Sequence, residues 1–127
     1  MSKEKIELGL AGEKKAVEFL KDNGYEILDR NFRTSLGEID IVAKDKDCIC
    51  FVEVKTRSSD QKGSPEEAIT KHKQHKLSQM ALLYLKNKNL LKKSARFDIV
   101  TVMQNLAETD KIDIIKNAFL LNNRYIY

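Results

Sequence analysis

The chain has 127 residues, of which 42% are hydrophobic and 33% are charged. This length suits one domain that buries its own core, so we expect a single domain over residues 1–127 without disulfides or a structural metal. No apolar run approaches the ~20 residues that span a bilayer, and the charged helix-like segment after the first residues lacks the apolar core of a signal peptide. These features exclude a membrane protein, and we expect a cytosolic one.

The net charge of +4 is mild, and its distribution is more informative. Residues 55–76 hold six Lys or Arg against three acids, and residues 86–96 hold five against none. Such stretches fit a surface that faces the phosphates of a nucleic acid, and solvated helix faces kept for solubility are the alternative.

Cysteine and histidine do not indicate a metal site. Cys48 and Cys50 lie two residues apart in a strand-like segment, so they share a face, and we interpret them as small buried side chains. A zinc site needs four suitably spaced ligands, and His72 and His75 supply only an isolated pair on another segment. We assign the histidines no role.

Apolar residues at helical spacing predict a first helix over residues 6–21, which Gly24 ends in a left-handed cap. Glu13 falls in the middle of the apolar stripe, where a carboxylate is costly unless it is paired or coordinated. The alternative is a boundary position from which the carboxylate reaches water. The members of the stripe are Ile6, Leu10, Val17 and Leu20.

Three strand-like segments follow and predict an antiparallel meander, with the turn Asp45-Lys-Asp47 before the third. The loop over residues 58–70 contains Ser64-Pro65-Glu66-Glu67, which matches a capping box. The three predicted strands cover residues 25–33, 37–44 and 48–56.

A second predicted helix covers residues 70–87, followed by strands over residues 96–103 and 111–116 and an apolar C-terminal tail. The connection from the third strand through this helix to the fourth strand predicts a parallel pair with a right-handed crossover. The fold class is therefore α/β, a mixed β-sheet flanked by helices in the order α-β-β-β-α-β-β. The tail includes Ala118, Phe119 and Leu120.

Charged side chains are concentrated on the second and third strands. Glu53 and Lys55 are two residues apart, so they project to one face, which they share with Ile49 and Phe51. That face is apolar further back and should pack under a helix. The turn before the third strand sets a register in which Asp40 approaches Glu53.

Two neighbouring carboxylates repel each other and call for a cation. Oxygen ligands suit Mg²⁺ or Mn²⁺, which keep several waters and bind substrate phosphate. The metal would acidify a bound water, and Lys55 would orient that water or neutralise the transition state. Asp40, Glu53 and Lys55 therefore predict a divalent-metal site of nuclease type, and a solvent-facing salt bridge is the alternative.

Further charged residues surround this site. Asp40 should share its strand face with Glu38 and Val42. We interpret Glu38 and Asp98 as partners of arginines that maintain the fold, in preference to further acids of the site. The candidates for phosphate contact, by their position near the site, are Arg33, Arg57 and Lys71, and solvated surface charge is the alternative for all three.

Four segments give the sequence a specific resemblance that covers nearly the whole chain. They resemble the YraN family of bacterial proteins, which is similar to the PD-(D/E)XK nuclease superfamily and especially to archaeal Holliday-junction resolvases. This implies a restriction-endonuclease-like fold, with Ile39 where the superfamily's name has proline. The segments are Gly12-Glu13, Gly37-Glu-Ile-Asp40, Phe51-Val-Glu53-Val-Lys55-Thr-Arg57 and Arg96-Phe-Asp98.

The resemblance implies a role for each site residue. Asp40, Glu53 and Lys55 would be catalytic. Glu13 would complete the site from the first helix, so that the metal ligands would be Glu13, Asp40 and Glu53. Lys73 and Gln74, at the start of the second helix, would support the site or contact the nucleic acid.

The function that the resemblance implies is a Mg²⁺- or Mn²⁺-dependent endonuclease that hydrolyses phosphodiester bonds of DNA. Branched or otherwise structured DNA is the substrate expected by analogy with resolvases. Two alternatives stay open, namely a non-catalytic nucleic-acid-binding protein that retains the nuclease fold and a nuclease that acts on RNA. The analogy also favours a homodimer, although the sequence indicates no interface.

Overall fold

The computed structural model describes residues 3–58, 69–104 and 111–119, with side chains for residues 9–57, 69–104 and 111–119. The predicted α/β class and the predicted order of elements are confirmed. The predicted capping box at residues 64–67 lies outside the described residues. The elements are α1 (Lys3–Asp22), β1 (Glu26–Thr34), β2 (Gly37–Asp45), β3 (Cys48–Ser58), α2 (Lys71–Asn87), β4 (Ser94–Gln104) and β5 (Lys111–Phe119).

The five strands form one mixed sheet in the order β1-β2-β3-β4-β5. Neighbouring strands are antiparallel except β3 and β4, which run parallel and are connected through α2. The predicted parallel pair is therefore confirmed. Asp45 pairs with Cys48 across a two-residue turn in which Lys46 has a φ of 56°, so the predicted turn position is also confirmed.

The two helices cover opposite faces of the sheet. Alternate residues of β3 show this, because Cys50 and Val52 belong to the core under α1 whereas Ile49 and Phe51 belong to the core under α2. The prediction that the face of Glu53 and Lys55 packs under a helix is confirmed for its inner part. Cys48 and Cys50 are free thiols, and Cys50 is fully buried among apolar side chains as predicted, whereas Cys48 is only partly buried.

The apolar stripe of α1 differs from the prediction at Leu10, and the side chain of its predicted member Ile6 lies outside the described side chains. Ala16, Val17 and Leu20 are buried against the sheet, and Gly24 ends the helix region with the expected left-handed φ of 88°. Leu10 is 60% exposed, so its predicted place in the core is wrong. Burial of the described part of α1 begins only at Gly12, and helical spacing alone does not reveal where a helix first meets its sheet.

The C-terminal strand is longer than predicted. Ala118 and Phe119 belong to β5, and the Phe119 ring stacks on Phe97 with a centroid distance of 4.3 Å, so their placement in a tail is wrong. An irregularity in the β4–β5 pairing, where Asn117 has a φ of 55°, interrupts the alternation that marks a strand. Leu120 lies outside the described residues.

A buried ion network joins β4 to β2. Asp98 is 1% exposed, and Arg96 Nε donates to both of its carboxylate oxygens at 3.0 and 3.1 Å. The same guanidinium donates to Asp45 at 2.8 Å and to the Tyr25 hydroxyl at 3.0 Å. The interpretation of Asp98 as an arginine partner that maintains the fold is confirmed. Within the described ranges, no helix is both long and apolar enough to cross a membrane.

Candidate functional site

The site lies where β2 and β3 separate. Their backbone pairing runs from Asp45–Cys48 to Ile41–Val52, and continuing this register places Asp40 level with Glu53. At that point the Asp40 side chain enters the gap, and its Oδ2 accepts a hydrogen bond from the Val54 backbone N–H at 2.8 Å. The Asp40 carboxylate therefore takes the place of a backbone carbonyl as acceptor between β2 and β3. This hydrogen bond fixes the carboxylate between the two strands.

The alternation of β2 breaks at Asp40. Ile39 and Val42 both belong to the core under α2, although residues three apart in a regular strand face opposite sides. Opposite Asp40 on β1 lies Asn31, whose φ of 55° twists the strand pair locally. The prediction that Asp40 shares its face with Val42 is therefore wrong, because the twist turns the Asp40 carboxylate toward α1.

Three carboxylates meet on the α1 side of this twist. Glu13 of α1 and Glu38 and Asp40 of β2 each contribute an oxygen, and these oxygens lie within 4.8 Å of one another. We call these three residues the acid group. Glu13 therefore has a reason for its place on the apolar stripe, since it faces two other carboxylates and is only partly exposed.

The electrostatics of the acid group indicate an excess of negative charge. Burial raises the pKa of Asp40 to about 7, and the charge of nearby Glu53 adds to this, while the Val54 N–H opposes it. Burial also raises the pKa of Glu13, with Glu38 as the next contributor. Carboxylates that resist ionisation in this way mark a place where a cation would be stabilised.

Glu53 faces the other helix. Its Oε1 accepts a hydrogen bond from Lys73 Nζ of α2 at 2.8 Å and lies 3.5 Å from Lys55 Nζ. Among the described residues, Glu53 is not in the acid group, so two of the three predicted metal ligands, Glu13 and Asp40, are brought together in this structure. Metal ligation by Glu53 stays a prediction.

The two lysines that share Glu53 differ in their proton affinity. Burial lowers the pKa of Lys55; the charge of Glu53 opposes this and the charge of Lys73 adds to it. Burial also disfavours the charged form of Lys73, but its hydrogen bond to Glu53 and the negative charges of Glu53 and Asp40 together outweigh burial and raise its pKa. Lys73 is therefore the firmly charged partner, and Lys55 releases its proton more readily.

The other predicted contact residues surround this centre. Thr70 caps α2 by accepting from Lys73 N at 3.1 Å, and the exposed Lys71 opens the helix. Gln74 Nε2 donates to the Ile69 carbonyl at 3.2 Å, which stabilises the entry to the helix. Arg57 is partly exposed on β3 beyond Lys55. Contact of these residues with nucleic acid stays a prediction.

Two residues of the site differ from the sequence-based predictions. Glu38 was interpreted incompletely, and Asn31 was not predicted to belong to the site. Glu38 does have an arginine nearby, since Arg33 Nε lies 3.6 Å from its Oε2, but that arginine side chain is 76% exposed. The interpretation of Glu38 as an arginine partner is therefore incomplete, because its carboxylate also belongs to the acid group. Asn31 carried one usable signal, namely that asparagine is disfavoured inside a strand.

Gly12 allows α1 to approach the sheet closely enough for Glu13 to reach the acid group. A methyl group at Gly12 would overlap Oγ1 of Thr56 on β3. We expect Gly12→Ala to lower the free energy of unfolding by about 1–3 kcal/mol and to weaken Mn²⁺ binding, because α1 or the Thr56 side chain must shift. Urea unfolding and calorimetric titration with Mn²⁺ measure the two effects.

Gly9→Ala is the matched control, because a methyl group at Gly9 on the same helix meets nothing within 4 Å. Alanine inside a helix is favoured over glycine, so this variant should be as stable as the wild type or more stable by up to about 1 kcal/mol. Equal behaviour of the two variants would show that the close approach at Gly12 is unimportant.

The chain has the nuclease-like fold of the PD-(D/E)XK class, a mixed sheet between two helices, and carboxylates gather where two of its strands part. Residues 12–102 match the family described as "Uncharacterised protein family UPF0102". The chain belongs to this family, the YraN family, so the resemblance drawn from its motifs is confirmed. The match includes every predicted site residue, from Glu13 to Gln74.

Relatives from several bacteria match along nearly their whole length. A UPF0102 protein of Caldicellulosiruptor saccharolyticus is 53% identical over 91% of this chain and 98% of its own. Those of Desulfosudis oleivorans and Clostridium botulinum are 45% and 50% identical, over 96% and 89% of this chain and 97% and 94% of their own. The names of these relatives assign them to the same family.

Proposed function

We propose that the protein is a metal-dependent endonuclease that hydrolyses phosphodiester bonds of DNA in the cytosol. The observation that carries this proposal is the meeting of Glu13, Glu38 and Asp40 beside the Glu53–Lys55 pair. The family's nuclease-like fold supports it, because the strands that part at Asp40 belong to the sheet that defines that fold.

The donor set fits Mg²⁺ or Mn²⁺. Two oxygens bound to one Mg²⁺ at about 2.1 Å lie at most about 4.2 Å apart, so oxygens within 4.8 Å of one another need only a small movement. Glu13, Glu38 and Asp40 would hold the metal, and Glu53 would join them by leaving Lys73. When bound, the metal would acidify a water molecule and neutralise charge on the phosphate.

The lysines supply the rest of the chemistry. Lys55, whose pKa is lowered by burial, is suited to orient a water molecule by a hydrogen bond or to exchange a proton with it. Lys73 stays charged and is suited to bind a phosphate oxygen in place of Glu53. Glu53 therefore holds both ammonium groups on the α2 side of the site, beside the acid group.

Positive charge is concentrated at the C-terminal end of α2 and in the turn that follows it. Over residues 86–93, four exposed lysines have no carboxylate partner within 4 Å among the described residues. They suit a polyanion longer than one phosphate, and branched or structured DNA remains the substrate expected by analogy. These residues are Lys86, Lys88, Lys92 and Lys93.

The test is cleavage of supercoiled, linear and four-way-junction DNA, and of RNA, with Mg²⁺ or Mn²⁺ and with EDTA. We expect metal-dependent cleavage of DNA by the wild type and by Lys111→Ala, a control on an exposed part of β5. Glu53→Gln and Lys55→Ala should fall to background, because each removes one partner of the central ion pair.

Three other outcomes would contradict the proposal. Equal cleavage by every variant would identify a contaminating nuclease. Salt-dependent binding of nucleic acid without metal-dependent cleavage would favour the non-catalytic binding protein, in which the lysines simply neutralise Glu53. Cleavage confined to RNA would retain the chemistry and change the substrate.

A further inference from the structure

Asn31 occupies an unusual backbone conformation beside the acid group. It lies between the Arg30–Ile41 and Phe32–Ile39 pairs, directly opposite Asp40, and its φ is 55°. Among residues with a side chain, asparagine tolerates this left-handed conformation best. The backbone conformation at position 31 therefore favours glycine or asparagine. Asparagine, unlike glycine, places an amide group at the site.

The amide group of Asn31 lies between two acids from different elements. In the orientation that satisfies both of its polar atoms, Nδ2 donates to Glu13 Oε2 at 3.2 Å and to Glu38 Oε1 at 2.5 Å, and the side-chain oxygen faces donors. One NH₂ group thus joins a carboxylate of α1 to a carboxylate of β2.

A neutral donor is suited to this place. A lysine or arginine between Glu13 and Glu38 would neutralise them and compete with a metal, whereas an amide lowers their repulsion and leaves their charge in place. Arg33 does not replace it, because its side chain is 76% exposed and its Nε lies 3.6 Å from Glu38.

We propose that Asn31 is a positioning residue of the acid group, whose amide bridges Glu13 and Glu38 and holds the two carboxylates together before a cation binds. The inference rests on the proposed metal-dependent function and goes beyond it, because the amide acts on the ligands and not on the phosphate. Partners that orient metal ligands typically change metal affinity by 10–100-fold when they are removed.

The test uses Asn31→Gly, which keeps the left-handed backbone and removes only the amide. We expect calorimetry to give a Mn²⁺ dissociation constant at least about 10-fold larger than that of the wild type. Asn89→Gly is the matched control, because Asn89 has a similar φ of 58° at an exposed turn after α2. Its Mn²⁺ affinity should equal that of the wild type.

A second measurement needs no metal. In the metal-free protein, the side-chain NH₂ signals of Asn31 in an NMR spectrum should shift in Glu38→Ala, because one acceptor is lost. They should not shift in Asp113→Ala, which removes an exposed carboxylate on β5.

The outcomes separate the two proposals. Unchanged Mn²⁺ affinity in Asn31→Gly would overturn the role of Asn31 and leave the metal-dependent function standing. A wild type that binds no Mn²⁺ would overturn that function. The NMR experiment would then test the amide bridge by itself. Asn31 NH₂ signals that do not shift in Glu38→Ala would refute the bridge, and signals that shift would support it.

Discussion

Asp40→Asn is expected to stabilise the metal-free protein while it abolishes metal-dependent cleavage. Asparagine has the same shape as aspartate and can still accept the Val54 N–H through its amide oxygen, so the sheet contact survives. It removes a charge that burial and Glu53 disfavour. We expect a gain of roughly 2–4 kcal/mol at pH 8 and a loss of cleavage of about 100-fold or more.

The gain should depend on pH in a defined direction. The pKa of Asp40 is about 7 in the folded protein and about 3.9 in an unfolded chain, so between these values the folded state retains a proton that the unfolded state releases. The free energy of unfolding of the wild type therefore falls as pH rises from about 4 to 7. Asp40→Asn should show little gain at pH 4 and its full gain above pH 7.

Urea unfolding in EDTA at pH 4.5 and pH 8 measures this effect. Asp113→Asn is the control, because its side chain is 64% exposed and the charge on it costs the fold little. A gain of the same size at both pH values would mean that the charge of Asp40 does not cause it. A destabilised Asp40→Asn protein at pH 8 would mean that the carboxylate is already compensated.

Arg96→Met is expected to lower the free energy of unfolding by about 3–5 kcal/mol. The substitution leaves Asp98 buried at 1% exposure and, among the described residues, with one remaining hydrogen bond, from Asn117 N at 2.9 Å. It also removes the donors to Asp45 and Tyr25. Removing one partner of a buried ion pair costs far more than the pair contributes, because the other charge stays desolvated.

The matching control is Lys111→Met, which breaks an exposed pair with Asp113 at 3.8 Å and should change stability by less than about 1 kcal/mol. The double variant Arg96→Met with Asp98→Leu should recover part of the loss, since it removes both charges. Urea unfolding at pH 7 compares all four proteins. Similar losses in Arg96→Met and Lys111→Met would contradict a structural role for the network.

Local patterns in the sequence were sufficient to predict the helices and strands and the pairing register of β2 with β3. Alternation and turn residues located β2 and β3, and the two-residue turn after Asp45 fixed the pairing that sets Asp40 level with Glu53. The position of Glu13 on an apolar stripe predicted that its carboxylate needed a partner, and the acid group supplies two.

Effects of the tertiary structure lay beyond those patterns. The twist at Asp40 depends on Asn31 of the neighbouring strand, so the sequence of β2 alone gives no sign that Val42 and Glu38 point apart. The engagement of Glu53 by Lys73 depends on how the first turn of α2 lies over the sheet. A pairing irregularity near Asn117 likewise hid the end of β5, because alternation fails there.

The hydrogen bond between Asp40 and Val54 limits the length of the side chain that this position accepts. An added methylene, as in glutamate, would carry the carboxylate beyond the Val54 N–H at 2.8 Å or force the strands further apart. The Asp40 carboxylate thus serves both as the acceptor that connects β2 to β3 at this point and as a member of the acid group. Substitution of Asp40 is therefore restricted both by the contact with Val54 and by the acid group. Glutamate at this position would not restore the activity that the loss of Asp40 removes.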